Sequence, residues 1–301
     1  MGDVVPMNDG SKAWKLGFLA SLDFSSWNAE DVVEALSRIG YEGIEWTSAH
    51  FNPRTRTTAE LAALVKTTRD RGLEVSEVGA QQDLVTPDER VRGDRLTAIR
   101  ECIKAVSQVG IRTMNLFTGP APWDPTAPRI PDDMAEGKAW SLVLESFNEL
   151  VADAEKYDVD LAVEAVFGHL CHDYYTMKEL LDDVDSRRLC VNMDPSHYAL
   201  YRNDVPWVVR KLGDKIRHVH MKDVAGSPGR HGEDFIFPLL GEGMIDWNGF
   251  LKALEDIGYR GFLSVEFESF GYYAKVLGKD PVKAAEISME AMKQLVTHRR
   301  I

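Results

Sequence analysis

The sequence predicts a single-domain α/β protein, a (β/α)8 barrel spanning residues 1–301 with its ordered part from about 14 to 298. Three observations lead there. Short β-like runs alternate with amphipathic helical stretches along the whole chain. Eight such pairs follow one another. No linker or low-complexity segment separates them. Alternation of this kind calls for parallel strands with helical crossovers, and eight pairs suffice to close the sheet on itself.

Each unit can be read in turn. Lys15–Ala20 reads as a strand, then Ala29–Ile39 as a helix ended by Gly40. Gly43–Trp46 and Thr58–Arg71 form the second unit, Leu73–Gly79 and Val91–Val109 the third. Gly72 and Gly110 close those two helices, as expected where the chain must turn left-handed. Ile111–Phe117 with Glu136–Tyr157, and Val159–Val166 with Thr176–Val184, form the next two units. Leu189–Asp194 is followed by a short helix around Pro206–Leu212. Ile216–Lys222 leads to Trp247–Ile257, and Gly261–Glu266 to the last helix, Pro281–Val296. The last three units carry longer segments after their strands, where barrels place their chemistry.

The 35 basic and 48 acidic side chains leave a net charge of −13. A chain this acidic lacks the cationic surface that phosphate-backbone affinity needs, so nucleic acid is not an expected partner. It suits a neutral substrate, or a cation held by carboxylates. No run approaches the roughly 18 apolar residues of a membrane span, so no membrane partner is expected either. Cys102, Cys171 and Cys190 lack paired spacing, which fits a reducing, cytoplasmic setting. Residues 1–11 show no signal-peptide pattern, and Pro6 stands where N-myristoylation needs Ser or Thr.

Period-2 geometry assigns the strand residues to faces. Ala162 and Glu164 share one face of the fifth strand, opposite Leu161 and Val163. Asn192 and Asp194 oppose Val191 and Met193; His218 and His220 oppose Val219 and Met221. Ser264, Glu266 and Glu268 oppose Leu263, Val265 and Phe267. The apolar sets should pack on the helices, so the ionisable sets point into the barrel. Glu164, Asp194, His220 and Glu266 then project at matching depth from successive strands. Three clustered carboxylates repel, and a divalent cation removes the repulsion. Three oxygens and an imidazole suit manganese first, with magnesium, cobalt or zinc as alternatives. Any one of these residues alone reads more simply as a salt-bridge partner; the case rests on the four together.

Those strands, with the runs Asn192-Met193-Asp194-Pro195-Ser196-His197, His218-Val219-His220-Met221-Lys222-Asp223 and Leu263-Ser264-Val265-Glu266, resemble the sugar phosphate isomerase/epimerase family. This is the xylose-isomerase-like TIM barrel superfamily. Gly241-Glu242-Gly243 followed by Ile245-Asp246-Trp247 is similar to it too. The resemblance implies that Glu164, Asp194, His220 and Glu266 bind one divalent metal. It implies that Glu164 and Glu266 exchange protons with a sugar carbon, and that His197 contacts a substrate oxygen. It further implies a homo-oligomer. The tagatose-epimerase-like members carry a second Glu six residues after Glu164 and an Arg six residues after His220; here Leu170 and Gly226 stand there. A simple ketohexose 3-epimerase does not fit that pattern.

The loop after the fifth strand instead carries His169 and His172, both able to titrate near neutrality. His169 is a candidate proton donor and His172 a candidate substrate contact, although ordinary loop histidines are the plainer reading. Glu45 after the second strand and Trp123 after the fourth are further candidate substrate contacts. So is Lys222, for which a local ion pair with Asp223 is the simpler reading.

The chemistry follows from the site. Isomerisation, epimerisation and elimination of keto-sugars all begin with removal of a proton alpha to a carbonyl. A cation on the carbonyl oxygens stabilises the resulting charge, and a carboxylate or His within reach serves as base. The expected function is therefore a metal-dependent isomerase or epimerase of a sugar, keto-sugar or inosose. The alternative is a lyase or dehydratase eliminating from a 3-keto-glycoside or inosose, working with a second small subunit if it is a deglycosidase. An endonuclease IV-like repair enzyme shares the barrel but needs more His ligands and a basic face.

Overall fold

A computed structural model describes residues 14–297. Expectations about residues 1–11, and the end of the barrel at 298, lie outside the described residues. The strands are β1 (Lys15–Leu19), β2 (Gly43–Trp46), β3 (Glu74–Gly79), β4 (Thr113–Leu116), β5 (Asp160–Glu164), β6 (Leu189–Met193), β7 (Ile216–Met221) and β8 (Phe262–Val265). They pair in parallel around a closed barrel in the order β1-β8-β7-β6-β5-β4-β3-β2. The helices are α1 (Ala29–Ile39), α2 (Thr58–Asp70), α3 (Glu89–Gln108), α4 (Glu136–Tyr157), α5 (Tyr174–Asp183), α6 (Pro195–Leu200), α7 (Val205–Leu212), α8 (Trp247–Asp256), α9 (Phe270–Lys275) and α10 (Pro281–Thr297). The expected (β/α)8 barrel is thus the observed one. No described helix is long and apolar enough to cross a membrane.

Local chemistry sets the element ends. Asn28 caps α1 through its side chain to the Asp31 N–H at 2.9 Å, and Gly40 ends it at φ 102°. Between them Val32, Val33 and Leu36 are buried against the barrel. The residues assigned outward, Leu161, Val163, Val191, Met193, Val219, Met221, Leu263 and Val265, are all buried in the layer between strands and helices.

Three features differ from expectation. Six of the eight strands, all but β2 and β3, stop one or two residues early, so Asp194 and Glu266 stand just past the last ladder residue. Two six-residue helices, α6 and α9, occupy segments read as loops. The excursion after β7 contains a small antiparallel pair, Ala225–Gly226 with Phe235–Ile236. Each is too short to produce a periodic signal.

The base of that last excursion is tied down by one side chain. The carboxylate of Asp223 accepts the backbone N–H groups of Val224, Gly241 and Gly243 at 2.9–3.0 Å, and that of Ile245 at 3.3 Å. It also accepts the indole N–H of Trp247 at 3.0 Å. A Cβ on Gly243 would lie 2.1 Å from Asp223 Oδ1, so only glycine fits there. Removing this acceptor would leave buried donors unpaired. Asp223→Ala should cost about 3 kcal/mol, measured as a lower urea midpoint. A midpoint unchanged from wild type would refute this.

Candidate metal centre and active site

The four expected ligands come together. One donor atom each from Glu164, Asp194, His220 and Glu266 lies within 4.8 Å of the others. They do not sit at equal register. Glu164 pairs opposite Asn192, Asn192 opposite His218, and His220 opposite Ser264, so the ligands climb from β5 to β8. The tilt of barrel strands compensates for this stagger and brings them to one height.

Each ligand is positioned by its own surroundings. Asp194 is the N-cap of α6: its Oδ1 accepts the Ser196 N–H at 2.8 Å, with Pro195 fixing the first turn. Oδ2 is buried and pairs with Lys222 Nζ at 2.9 Å. Glu164 Oε2 accepts the Asn115 amide at 3.1 Å, and Oε1 lies 3.3 Å from His220 Nδ1. Burial raises the Glu164 pKa, but His220, His197 and Lys222 outweigh it and hold the group well below the usual carboxylate range. Glu266 is the most exposed of the four and faces His220 Nδ1 at 3.4 Å.

His220 is oriented from behind. Its Nδ1 faces Glu164 and Glu266, while Nε2 lies 3.0 Å from Glu45 Oε2. Burial lowers the His220 pKa, but Glu45, Glu164 and Glu266 raise it well above the ordinary value. Conversely, His220 and His218 overcome the burial of Glu45 and bring it down to about 2. The cluster thus calls for positive charge, which a proton or a metal ion can satisfy. Glu45 was expected at the substrate; the structure buries it instead against two imidazoles, His220 and His218 (3.3 Å). Its arrangement matches the carboxylate–histidine support common behind metal ligands. Glu45→Gln should weaken metal affinity roughly 10–100-fold in a chelator-competition titration. Unchanged affinity would show that Glu45 does not support His220.

Sequence reading missed Glu77. It is fully buried beside Glu45, its pKa is raised well above normal by burial and by Glu45, and neither of its oxygens has a hydrogen-bond partner. The register shifts between β2 and β3 at this point, which breaks the alternation that would otherwise assign it inward. With His218, His220 and Glu45 it forms a second carboxylate–imidazole group below the first.

Lys222 lies among the clustered carboxylates, not in a local pair with Asp223. Its Nζ is 2.9 Å from Asp194, 2.5 Å from Glu266 and 3.0 Å from Glu268. Burial lowers its pKa, but these carboxylates raise it well above the usual value. His197 Nδ1 accepts the Phe167 N–H at 3.3 Å, and its Nε2 lies 3.2 Å from Lys222 Nζ and 3.6 Å from both Glu164 and Asp194. Four carboxylates, Glu164, Asp194, Glu266 and Glu268, therefore exceed what Lys222 and His220 balance. This excess of clustered carboxylates beside an imidazole fits one divalent cation.

Above the cluster a cavity of about 690 Å³ opens, lined by Glu164, His197, Lys222, Glu266 and Glu268 below and by Trp123, Phe167, Phe237 and Phe270 at the sides. Trp123 and Lys222 are thus where substrate contact was expected. The two loop histidines are not. His169 is buried behind Phe117 and Trp123, with ring centroids 4.7 and 5.3 Å away. Its Nδ1 accepts the Gly119 N–H at 3.2 Å, and burial lowers its pKa to about 3. It is a neutral wall group, poorly suited to donate a proton. His172 packs on Tyr201 at 4.4 Å and directs Nδ1 to the carbonyls of His169 and Leu170, away from the cavity.

A closed eight-stranded barrel with a carboxylate–imidazole centre at the C-terminal ends of its strands defines a class of (β/α)8 enzyme sites. The chain belongs to the xylose isomerase-like TIM barrel family, whose profile matches residues 33–295. It is 25% identical over 248 residues to SgbU of Escherichia coli (strain K12), provisionally named an L-ribulose-5-phosphate 3-epimerase, covering 81% of this chain and 78% of that one. It is 27% identical over 156 residues to an inosose dehydratase of Halalkalibacterium halodurans, spanning 48% of each chain. The fold matches the crystal structure of IolI protein with a bound zinc atom at a TM-score of 0.74 and 18% identity, covering 94% of this chain and 98% of that one. An enzyme of the sugar isomerase and epimerase kind agrees with these relatives.

Proposed function

We propose that this protein is a divalent-metal-dependent isomerase or epimerase of a sugar, keto-sugar or inosose, acting by proton transfer alpha to a carbonyl. The observation that carries this reading is the convergence of Glu164, Asp194, His220 and Glu266 beneath an open cavity. The epimerase relative and the zinc-bound neighbour support it. Those four residues would hold the ion; manganese is the first choice and zinc the one found in the neighbour. When bound, it would polarise the substrate carbonyl as a Lewis acid.

The chain's own groups supply the rest. Glu266 lines the cavity and acts as the base. Glu164, engaged on both oxygens, returns or shuttles the proton on the other side. His197, which also lines the cavity, contacts a substrate oxygen. Lys222 keeps its proton and sets the position of Glu266 and Glu268.

Elimination is the second reading, favoured by the inosose dehydratase match. Incubating candidate keto-sugars and inososes with the metal-loaded protein in D₂O tests both. Deuterium alpha to the carbonyl in a product of otherwise unchanged mass supports the first. Loss of water or an aglycone selects the second. No exchange with any of these substrates rejects both.

A further inference from the structure

The cavity above the ligand cluster is larger and more apolar than a free monosaccharide requires. A hexose of about twelve heavy atoms fills on the order of 200 Å³ at protein packing density, against a cavity of about 690 Å³. Its floor is polar and charged, whereas its wall is an arc of rings. Trp123 and Phe167 have centroids 5.9 Å apart, Phe167 and His231 6.3 Å, and His231 and Phe270 5.9 Å. Phe237 sits inside the arc, 5.9 Å from Phe167 and 5.1 Å from His231. The two ends stay open to contact: Trp123 is 57% and Phe270 45% exposed.

The polar groups of the cavity disfavour the obvious extensions of a sugar. Against Lys222, held by three carboxylates, and Arg230, exposed beside Glu233, the lining carries Glu164, Glu266 and Glu268, an acidic excess that repels a phosphate. A second sugar ring would need hydrogen-bonding groups along the wall. The amide nitrogen of Gln81, which also lines the cavity, is already bonded to Asn115 at 2.6 Å. Flat aromatic surface, by contrast, is matched by rings spaced for offset or edge contact.

We propose that the substrate is a glycoside, and that the arc from Trp123 to Phe270 is a subsite for a planar aromatic aglycone held above the metal-binding floor. This rests on the sugar-enzyme reading given above and names the part of the substrate that lies beyond the reacting ring. The aglycone enters between Trp123 and Phe270, and the sugar reaches down to His197 and Glu266.

Phenyl and methyl β-D-glucopyranoside test this by equilibrium binding, followed through tryptophan fluorescence and calorimetry. Neither carries a carbonyl, so binding is read without turnover. A failure of the proton-transfer chemistry would leave this result untouched, and the D₂O experiment with free keto-sugars would stand if this one failed. The phenyl glycoside should bind about tenfold more tightly than the methyl glycoside. Trp123→Ala and Phe270→Ala should each reduce that ratio to about threefold or less, and Trp123→Phe should keep most of it. Unfolding curves check that the variants are folded. Equal affinity for the two glycosides, a ratio unchanged in the folded alanine variants, tighter binding of cellobiose than of the phenyl glycoside, or no binding of either overturns the proposal.

Discussion

Changing Asp194 to Asn should strip the protein of its metal and of its activity together. The substitution is nearly isosteric, and the amide oxygen can still accept the Ser196 N–H that caps α6. What it removes is the carboxylate charge, on a buried side chain whose Oδ2 lies 2.9 Å from Lys222 Nζ. After dialysis the variant should retain below about a tenth of the metal held by wild type, and turnover should fall by roughly 10³-fold or more. Elemental analysis beside a turnover assay reads both numbers. Full turnover by the metal-depleted wild type would refute the metal-dependent reading outright.

Glu266→Gln carries the other large effect. Both carboxylates line the cavity, but both oxygens of Glu164 are engaged, by Asn115 on one side and His220 on the other, whereas Lys222 and His220 face Glu266 through its Oε2 alone. Its replacement should suppress solvent exchange of the substrate alpha proton by about 10²–10⁴-fold, the weight of a positioned general base. Because Glu266 is also among the proposed metal ligands, exchange must be compared at saturating metal. Suppression that disappears once metal is restored would reduce Glu266 to a ligand. Exchange lost in Glu164→Gln but kept in Glu266→Gln would reverse their roles.

Much of this site was legible from alternation alone. Parity within each of β5 to β8 places Glu164, Asp194, His220 and Glu266 inward, and the β6/β7 shift between Val191 and Asn192 leaves that assignment intact. In β3 the extra residue lies within the strand itself: Ile44 pairs with Val75 and Glu45 with Glu77, so alternation does not mark the face of Glu77. The histidines after β5 illustrate another limit. His169 and His172 follow the strand closely, but what they face depends on distant chain: Gly119 and Trp123 for one, Tyr201 for the other. Nothing in the local sequence encodes those neighbours. Lys222 was visible as a charge, but its three acidic partners come from β6 and β8, which only the closed barrel brings near it.

The carboxylate of Asp223 has a consequence for how this enzyme can diversify. By gathering the N–H groups of Val224, Gly241, Gly243 and Ile245, it draws the two ends of an excursion of some twenty residues into one knot. Met244 closes the same neck by donating to the Val224 carbonyl at 2.9 Å. Beyond the knot the excursion still touches the barrel mouth, through Arg202 on the Gly226 carbonyl and Phe167 on Phe235 and Phe237, but its ends are closed, so a change in its length adds little entropic penalty. Arg230, His231 and Phe237 all lie in that stretch and line the cavity. Its rings and charges can therefore be rewritten to suit a new substrate while the anchored ends, and the register of the strands beneath, stay as they are.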